Sequence, residues 1–451
     1  MAQNKNVTFK FIDLFAGIGG FAAALGAFGG KSVYSVEIDA AAAKVYELNW
    51  GHSPLGDITE DANESTMNVP AHDILAAGFP CQPFSKSGAQ RGMEETRGTL
   101  YWNILQIIKS HHPTIVLLEN VRNLAGPRHR REWEVIIQTL RDEGYRVSET
   151  PAVFSPHLLP KALGGRPQIR ERVFITATYN PTGIGNSEAV LPPVSANDKV
   201  AGWNPQKWNL AKDLPLEPGK KIAGTKLSPI EIAWIDAWDE WVQLYYELSG
   251  GKNPPGFPIW ADSWVDIRKL EIEESTPKWK ANFLIKNAEL YSSHKTAFDR
   301  WLKKHEVLTE KFPPSRRKLE WQAQDTPRLW DTVMHFRPSG IRAKRSTYLP
   351  ALVAITQTSI IGRKSRRLST REAARLQGLP DDFTFGHQKD SATYKQLGNG
   401  VNVGVVWYVL KKHVERDMDI LRTSSKGRTL IKAVTSAPDS PDERLTELLR
   451  R

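Results

Sequence analysis

The sequence predicts an α/β protein: a Rossmann-like, mostly parallel sheet with helices on both faces, joined to a second, irregular domain. Three observations carry this. Short apolar runs alternate with helical patterns through the first 180 residues, as in successive β-α-β units. The runs are apolar nearly throughout, not at every second position, as in strands covered on both faces. Eleven of the fifteen tryptophans then crowd between Trp203 and Trp330, where the alternation is lost.

Taken in order, residues 7–15 read as a strand, and the turn Ala16-Gly17-Ile18-Gly19-Gly20 leads into an alanine-rich helix over 21–28. A strand over 32–38 and a helix over 40–49 follow. Residues 74–79 form an apolar strand that ends at Pro80, with Pro83 close behind; both prolines interrupt pairing and favour a rigid loop. A helix over 100–110, a strongly apolar strand over 114–118, a helix over 131–143 and a strand over 172–177 complete the series. Breakers from Asn180 to Asn186 mark an exit. The expected organisation is a first part of the catalytic domain (1–180), a smaller domain with a Trp-rich helical insertion (181–390), and a segment returning to the catalytic domain with a polar tail (391–451). Trp234, Trp238, Trp241, Tyr245 and Leu248 fall at helical spacing, as do Leu290, Phe298, Trp301 and Leu308. Such stripes predict the core of a separate domain, not a base-stacking platform.

Lysine and arginine total 61 against 50 acids, a net charge of +11. That excess favours a polyanionic partner, nucleic acid first. No apolar run approaches the ~18–20 residues of a membrane span, and the N-terminus lacks an apolar signal core. A single cysteine excludes an internal disulfide and a multi-cysteine metal site. A cytoplasmic monomer without membrane or metal is expected.

The one thiol, Cys81, sits in Phe79-Pro80-Cys81-Gln82-Pro83-Phe84-Ser85. A free cysteine commonly packs as a small hydrophobe. This one follows a strand end, where open α/β sheets place their chemistry. Phe15, Gly17, Gly19 and Gly20 form a turn that lets backbone approach a ligand. The turn is neither a full G-x-G-x-x-G nor a P-loop, so a nucleoside-like cofactor fits better than a dinucleotide. Glu37 ends the second strand, where an acid can accept from ribose hydroxyls, and Asp57 is placed to meet an adenine amine. Each acid alone reads equally well as a helix cap. Glu119, in Glu119-Asn120-Val121, emerges at the same sheet edge as Cys81; partial burial there would raise its pKa. Arg170 and Arg172 open another strand and offer planar donors for carbonyls or phosphates.

These residues and their order resemble the bacterial type of DNA (cytosine-5)-methyltransferase. The similarity runs through residues 11–20, Glu37, Asp57, residues 79–85, 119–121 and 168–172, then 370–380 and 396–401. It covers about 9–180 and 366–410. The resemblance implies S-adenosylmethionine as methyl donor, held by Phe15, Gly17, Gly19, Gly20, Glu37, Ile38, Asp57, Pro80, Leu100 and Asn402. It assigns Cys81 to attack C6 of a flipped-out cytosine, since C5 is too weak a nucleophile unaided. Glu119 would meet N3 of the base, and Arg172 with Arg170 the base carbonyl or adjoining backbone. Ser85, Gln90, Arg91 and Arg97, in a loop with Gly88, Gly92 and Gly98, would contact double-stranded DNA as that loop closes. Arg337, Arg342, Lys344 and Arg345 form the candidate DNA-facing segment of the middle domain. The implied role is modification within a restriction–modification system, beside a cognate endonuclease acting on the same site without having to be bound. The alternatives are an RNA (tRNA) cytosine-5 methyltransferase and a catalytically silent DNA-binding module.

Overall fold

The computed structural model describes residues 8–80, 99–183, 189–197, 200–218, 222–352 and 358–450. Two sheets organise them. The first contains β1 (Phe9–Leu14), β2 (Gly30–Val36), β3 (Ile74–Gly78), β4 (Ile115–Val121), β5 (Tyr145–Val147), β6 (Ala152–Phe154) and β7 (Arg172–Tyr179), in the order β2-β1-β3-β4-β7-β5, with β6 also on β7. β1 to β4 are mutually parallel. β7 runs antiparallel to β4, and β5 and β6 run antiparallel to β7. The sheet is therefore mixed where a mostly parallel one is expected. The three-residue strands β5 and β6 are too short to show a period in the sequence.

Alternate side chains of these strands feed two cores. Phe9, Phe11, Ile74, Ala76, Ile115, Leu117 and Phe174 pack with the helices Gly20–Ala27 and Val403–Arg416. Ile12, Leu14, Leu75, Ala77, Val116, Leu118 and Val173 pack with the helices Leu100–His111 and Arg130–Asp142. Burial of both faces explains the uninterrupted apolar strands. The first core also takes in Leu368, Ala373, Leu376, Leu379 and Phe383, so the return to it begins before residue 391.

A second sheet is built from β8 (Ile259–Trp260), β9 (Lys318–Gln322), β10 (Val333–Arg337), β11 (Gly340–Lys344), β12 (Ile360–Ile361) and β13 (Arg366–Arg367), in the order β13-β12-β10-β11-β9-β8. One face of it, with Leu319, Trp321, Met334, Phe336 and Ile341, packs on Trp238, Trp241, Phe298 and Trp301. The tryptophan stripes are thus a separate core, as their spacing implies. Leu248 and Leu308 depart from expectation: both are exposed. Leu248 closes the helix Pro229–Leu248, and Leu308 lies beyond the helix Lys295–His305, where the helical period no longer aims a side chain inward. Among the described residues, no helix is long and apolar enough to cross a membrane.

A buried polar knot ties the C-terminal helices to the first sheet. Asp417 accepts from Thr178 Oγ1 of β7 and from Arg416, both at 2.7 Å, and pairs with Arg146 of β5. His413 Nε2 lies 2.9 Å from Thr178 Oγ1, and Arg416 donates toward His413 Nδ1 at 3.1 Å. With Thr178 donating to Asp417, this network suits a neutral His413 protonated on Nε2. Burial pushes His413 down to about 3. Burial opposes the Asp417 charge, yet His413, Arg416 and Thr178 hold its carboxyl below its ordinary value.

Asp417→Ala should lose about 3–5 kcal/mol in chemical denaturation, because Arg146 would remain buried and uncompensated. The pH dependence has a definite sign. Both native pKa values lie below the unfolded ones, so both contributions are complete above the ordinary histidine pKa of about 6.5 and decline as the pH falls. Urea midpoints measured from pH 7 to pH 3 should therefore drop less in Asp417→Ala than in the parent.

Candidate active site

The parallel strands β1 to β4 end at one edge of the sheet, and β7, running the other way, begins there. A cavity of about 520 Å³ opens at that edge. It lies where the chain leaves β1 for neighbours on opposite sides, the usual ligand position of an open α/β sheet.

The first wall is the glycine turn. Asp13, buried in β1, accepts from the Ala22 amide at 3.1 Å and fixes the first helix against its strand; burial raises its carboxyl well above the ordinary value. Phe15 has φ of 58° and Gly17 of 55°, so the backbone doubles back and both residues line the cavity. Gly20 lines it too, and a Cβ there would lie 2.6 Å from Val401 Cγ2. Gly19 plays a different part from the one expected. It lies outside the lining, and its Cβ would fall 2.0 Å from Trp50 Nε1. Its glycine is required by φ of 89° and by the indole, which donates to the Ile18 carbonyl.

Glu37 braces the second wall. Its carboxylate accepts from the Gly17 amide and from the Asp39 amide, each at 2.8 Å. Every carboxylate oxygen retains a further lone pair for a ligand donor. Ile38 beside it is 74% exposed, although apolar, and it lines the cavity with Leu100 and Phe79. Asp57 lines the cavity, and its Oδ1 caps the short helix Ile58–Asp61 through Thr59. An apolar slot rimmed by carboxylate acceptors and close-approaching glycine backbone suits a nucleoside with free hydroxyls.

Glu119 and Arg172 form the reactive end. Glu119 is 6% exposed, and Arg172 Nε lies 2.9 Å from its Oε1. Burial raises the Glu119 pKa, and Arg172 and Arg170 only partly offset it. The pairing of Glu119 with Phe174, and of Val121 with Arg172, across β4 and β7 brings carboxylate and guanidinium together. Asn120 donates to the Phe79 carbonyl at 2.8 Å and so pins the strand end before Pro80, which lines the cavity. Cys81, Ser85, Gln90, Arg91 and Arg97 lie outside the described residues.

Two expected site residues stand elsewhere. Asn402 caps the helix Val403–Arg416 through the Val405 amide and donates to the Leu376 carbonyl; its amide is consumed by the fold. Arg170 is 1% exposed and bonds backbone carbonyls behind the cavity wall. The closing motif contributes Gln396, Gly398, Asn399, Gly400 and Val401 instead, with Lys395, whose ammonium pairs with Asp39 at 3.2 Å. Glycines flanking Asn399 were the signal for that wall.

On the second sheet, β10 and β11 pair His335 with Arg342 and Val333 with Lys344. Arg337, Arg342 and Lys344 therefore share the face opposite the tryptophan core. Glu320 holds Arg342 at 2.7 Å and has Arg337 at 3.8 Å. Burial, then Arg342 and Arg337, depress the Lys344 ammonium. Arg345 follows the strand and pairs with Asp325.

A cavity at the carboxyl ends of the parallel strands defines a ligand-binding α/β protein, and its similarity to known proteins specifies which. The chain belongs to the C-5 cytosine-specific DNA methylase family, whose profile matches residues 9–415. It is 48% identical to the type II methyltransferase M.AluI of Cellulosimicrobium cellulans over 98% of each chain. It is 31% identical to M.HhaI of Haemophilus parahaemolyticus over 90% of this chain and 95% of that one. Among solved structures, the S. pombe Dnmt2 methyltransferase aligns with TM-score 0.46 and 16% identity, covering 90% of this chain and 98% of that one. The protein is a DNA cytosine-5 methyltransferase that uses S-adenosylmethionine.

Glu37→Ala should weaken S-adenosylmethionine binding by about tenfold or more if this cavity holds the cofactor, since the Gly17 and Asp39 amides that shape its wall lose a charged acceptor. Isothermal titration without DNA measures this directly.

Proposed function

We propose that the protein methylates C5 of a flipped-out cytosine within a specific duplex DNA site, through a covalent bond from Cys81 to C6, as the modification enzyme of a restriction–modification system. The observation that carries this reading is the convergence at one cavity of Pro80, the residue before Cys81, with Glu119 and Arg172.

In this reading the Cys81 thiolate adds to C6 and makes C5 an enamine carbon. Bound S-adenosylmethionine supplies an electrophilic methyl group. Glu119, kept protonatable by burial, donates to N3 and takes up the charge that addition places on the ring. Arg172 fixes the Glu119 carboxyl and offers its remaining donors to the base carbonyl. Loss of the C5 proton to a base then expels Cys81. Chemistry at C6 requires the base outside the stack, at a cost of a few kcal/mol offset by protein contacts. Ser85, Gln90, Arg91 and Arg97 would supply them from the loop after Cys81.

Arg337, Arg342, Lys344 and Arg345 are the proposed DNA contacts of the second sheet. An arginine oriented by a carboxylate, as Arg342 is by Glu320, presents its free edge in a fixed plane. A guanine read this way gives about 1–3 kcal/mol of discrimination.

Labelled methyl transfer to duplex DNA should be abolished in Cys81→Ala, whereas Glu119→Gln should lower kcat by about 10²–10⁴-fold. Base-resolution mapping of 5-methylcytosine on mixed-sequence DNA would reveal the site. Transfer to tRNA with none to DNA would overturn the substrate, and activity in Cys81→Ala would overturn the mechanism. DNA affinity should also fall steeply between 50 and 200 mM salt, by about 10³-fold if some six phosphates are contacted; a flat response would remove the phosphate contacts.

A further inference from the structure

Arg170 is one of the largest side chains fully enclosed by the protein, and no carboxylate among the described residues lies within ion-pair distance of it. Its two terminal nitrogens donate to three main-chain oxygens, while its buried Nε has no hydrogen-bond partner. Nη1 donates to the Leu352 carbonyl at 3.2 Å, and Nη2 donates to the Gly398 and Gly400 carbonyls at 2.7 and 2.6 Å. Its own amide donates to Ser155 Oγ at 2.9 Å. Burial, then Arg172, pulls the group down to about 9, which leaves it charged at neutral pH.

An enclosed cation is costly unless its donors are matched, and the nearby Glu119 charge only partly favours it. Here the acceptors come from two separate places. Gly398 and Gly400 belong to the wall of the cavity, with Asn399 between them. Leu352 lies in the connection from β11 to β12, just past Leu349, whose carbonyl accepts from the Ile169 amide. Arg170 lies two residues before β7 begins at Arg172. The two arginines divide the work: Arg172 pairs with Glu119, and Arg170 bonds the end of the helix Asp390–Asn399 and the residue after it.

We propose that Arg170 is a positioning residue for S-adenosylmethionine and does not touch the base: its guanidinium sets residues 398–401 at the distance from β7 that the cofactor requires. Gly398 and Asn399 end the helix Asp390–Asn399, and Gly400 follows it. The last carbonyls of a helix have no partner within it, and Arg170 takes up that of Gly398 together with that of Gly400. The inference rests on the assignment of this cavity to the cofactor.

Arg170→Met and Arg170→Lys test it, with cofactor binding measured by titration calorimetry without DNA and initial rates measured with the cofactor varied. Arg170→Met should raise both Kd and KM for S-adenosylmethionine about tenfold or more, as expected for lost bonds to a charged donor. Its kcat at saturating cofactor should change far less. Arg170→Lys, which keeps the charge but not the planar fork, should fall between Arg170→Met and the parent. Should Arg170→Met fail to fold, Arg170→Lys carries the test by the same ratio. Unchanged cofactor affinity overturns the proposal, and so does a loss of kcat at unchanged cofactor KM, which is the signature of a base contact. Glu37→Ala in the same titration separates the two levels: if it binds the cofactor like the parent, the cavity assignment falls, whereas an effect at Glu37 without one at Arg170 removes only the positioning role.

Discussion

The site depends on the direction of one strand. β7 runs against β4, so its first residue, Arg172, lies at the edge where the parallel strands finish. Had β7 run parallel to β4, it would have carried Arg172 to the far side of the sheet, about 25 Å away for an eight-residue strand at about 3.3 Å per residue. Antiparallel pairing is what lets a guanidinium from late in the domain neutralise a carboxylate buried at the end of the central strand. The pair in turn makes Glu119 tolerable at 6% exposure.

Around that edge, the walls are built mainly by polar groups acting on backbone. Glu37 binds two amides, Asn120 a carbonyl, Asp39 the first turn of its helix, and Arg170 three carbonyls. Each of these side chains fixes a loop, and the loops present the cavity. Rigidity therefore comes from hydrogen bonds between side chain and main chain, with the two apolar cores serving as their foundation.

The sequence was most legible where a residue's task is local. β1, β3 and β4 declare themselves by largely apolar runs, and Glu37 and Asp57 by standing at strand and turn ends. It was least legible where the partner is distant in the chain. Nothing near Arg170 distinguishes it from Arg172; only Gly398 and Gly400, some 230 residues on, decide which of the two faces the cavity. Asn402 follows a glycine-flanked motif and so looks like a ligand residue, yet a helix begins immediately after it and needs a cap. β5 and β6 exist because β7 offers them an edge, a fact with no counterpart in their own three residues. Leu248 and Leu308 continue a numerical spacing past the point where the helix that gives it meaning has ended.

The helix Gly20–Ala27 has one further consequence. Phe28, at its end, stacks on Trp407 with centroids 3.5 Å apart, and Gly26 sits against Leu448 of the last helix. This early helix is thus covered by helices about 380–430 residues further along the sequence. Until residue 398 and its neighbours emerge, the nascent chain has neither a lid for that alanine-rich surface nor a complete cavity. Contacts spanning some 400 residues impose a slow closing step and prolong the exposure of apolar surface that invites aggregation or chaperone capture. The cavity is thus complete only once the segment that ends at Val401 has joined it.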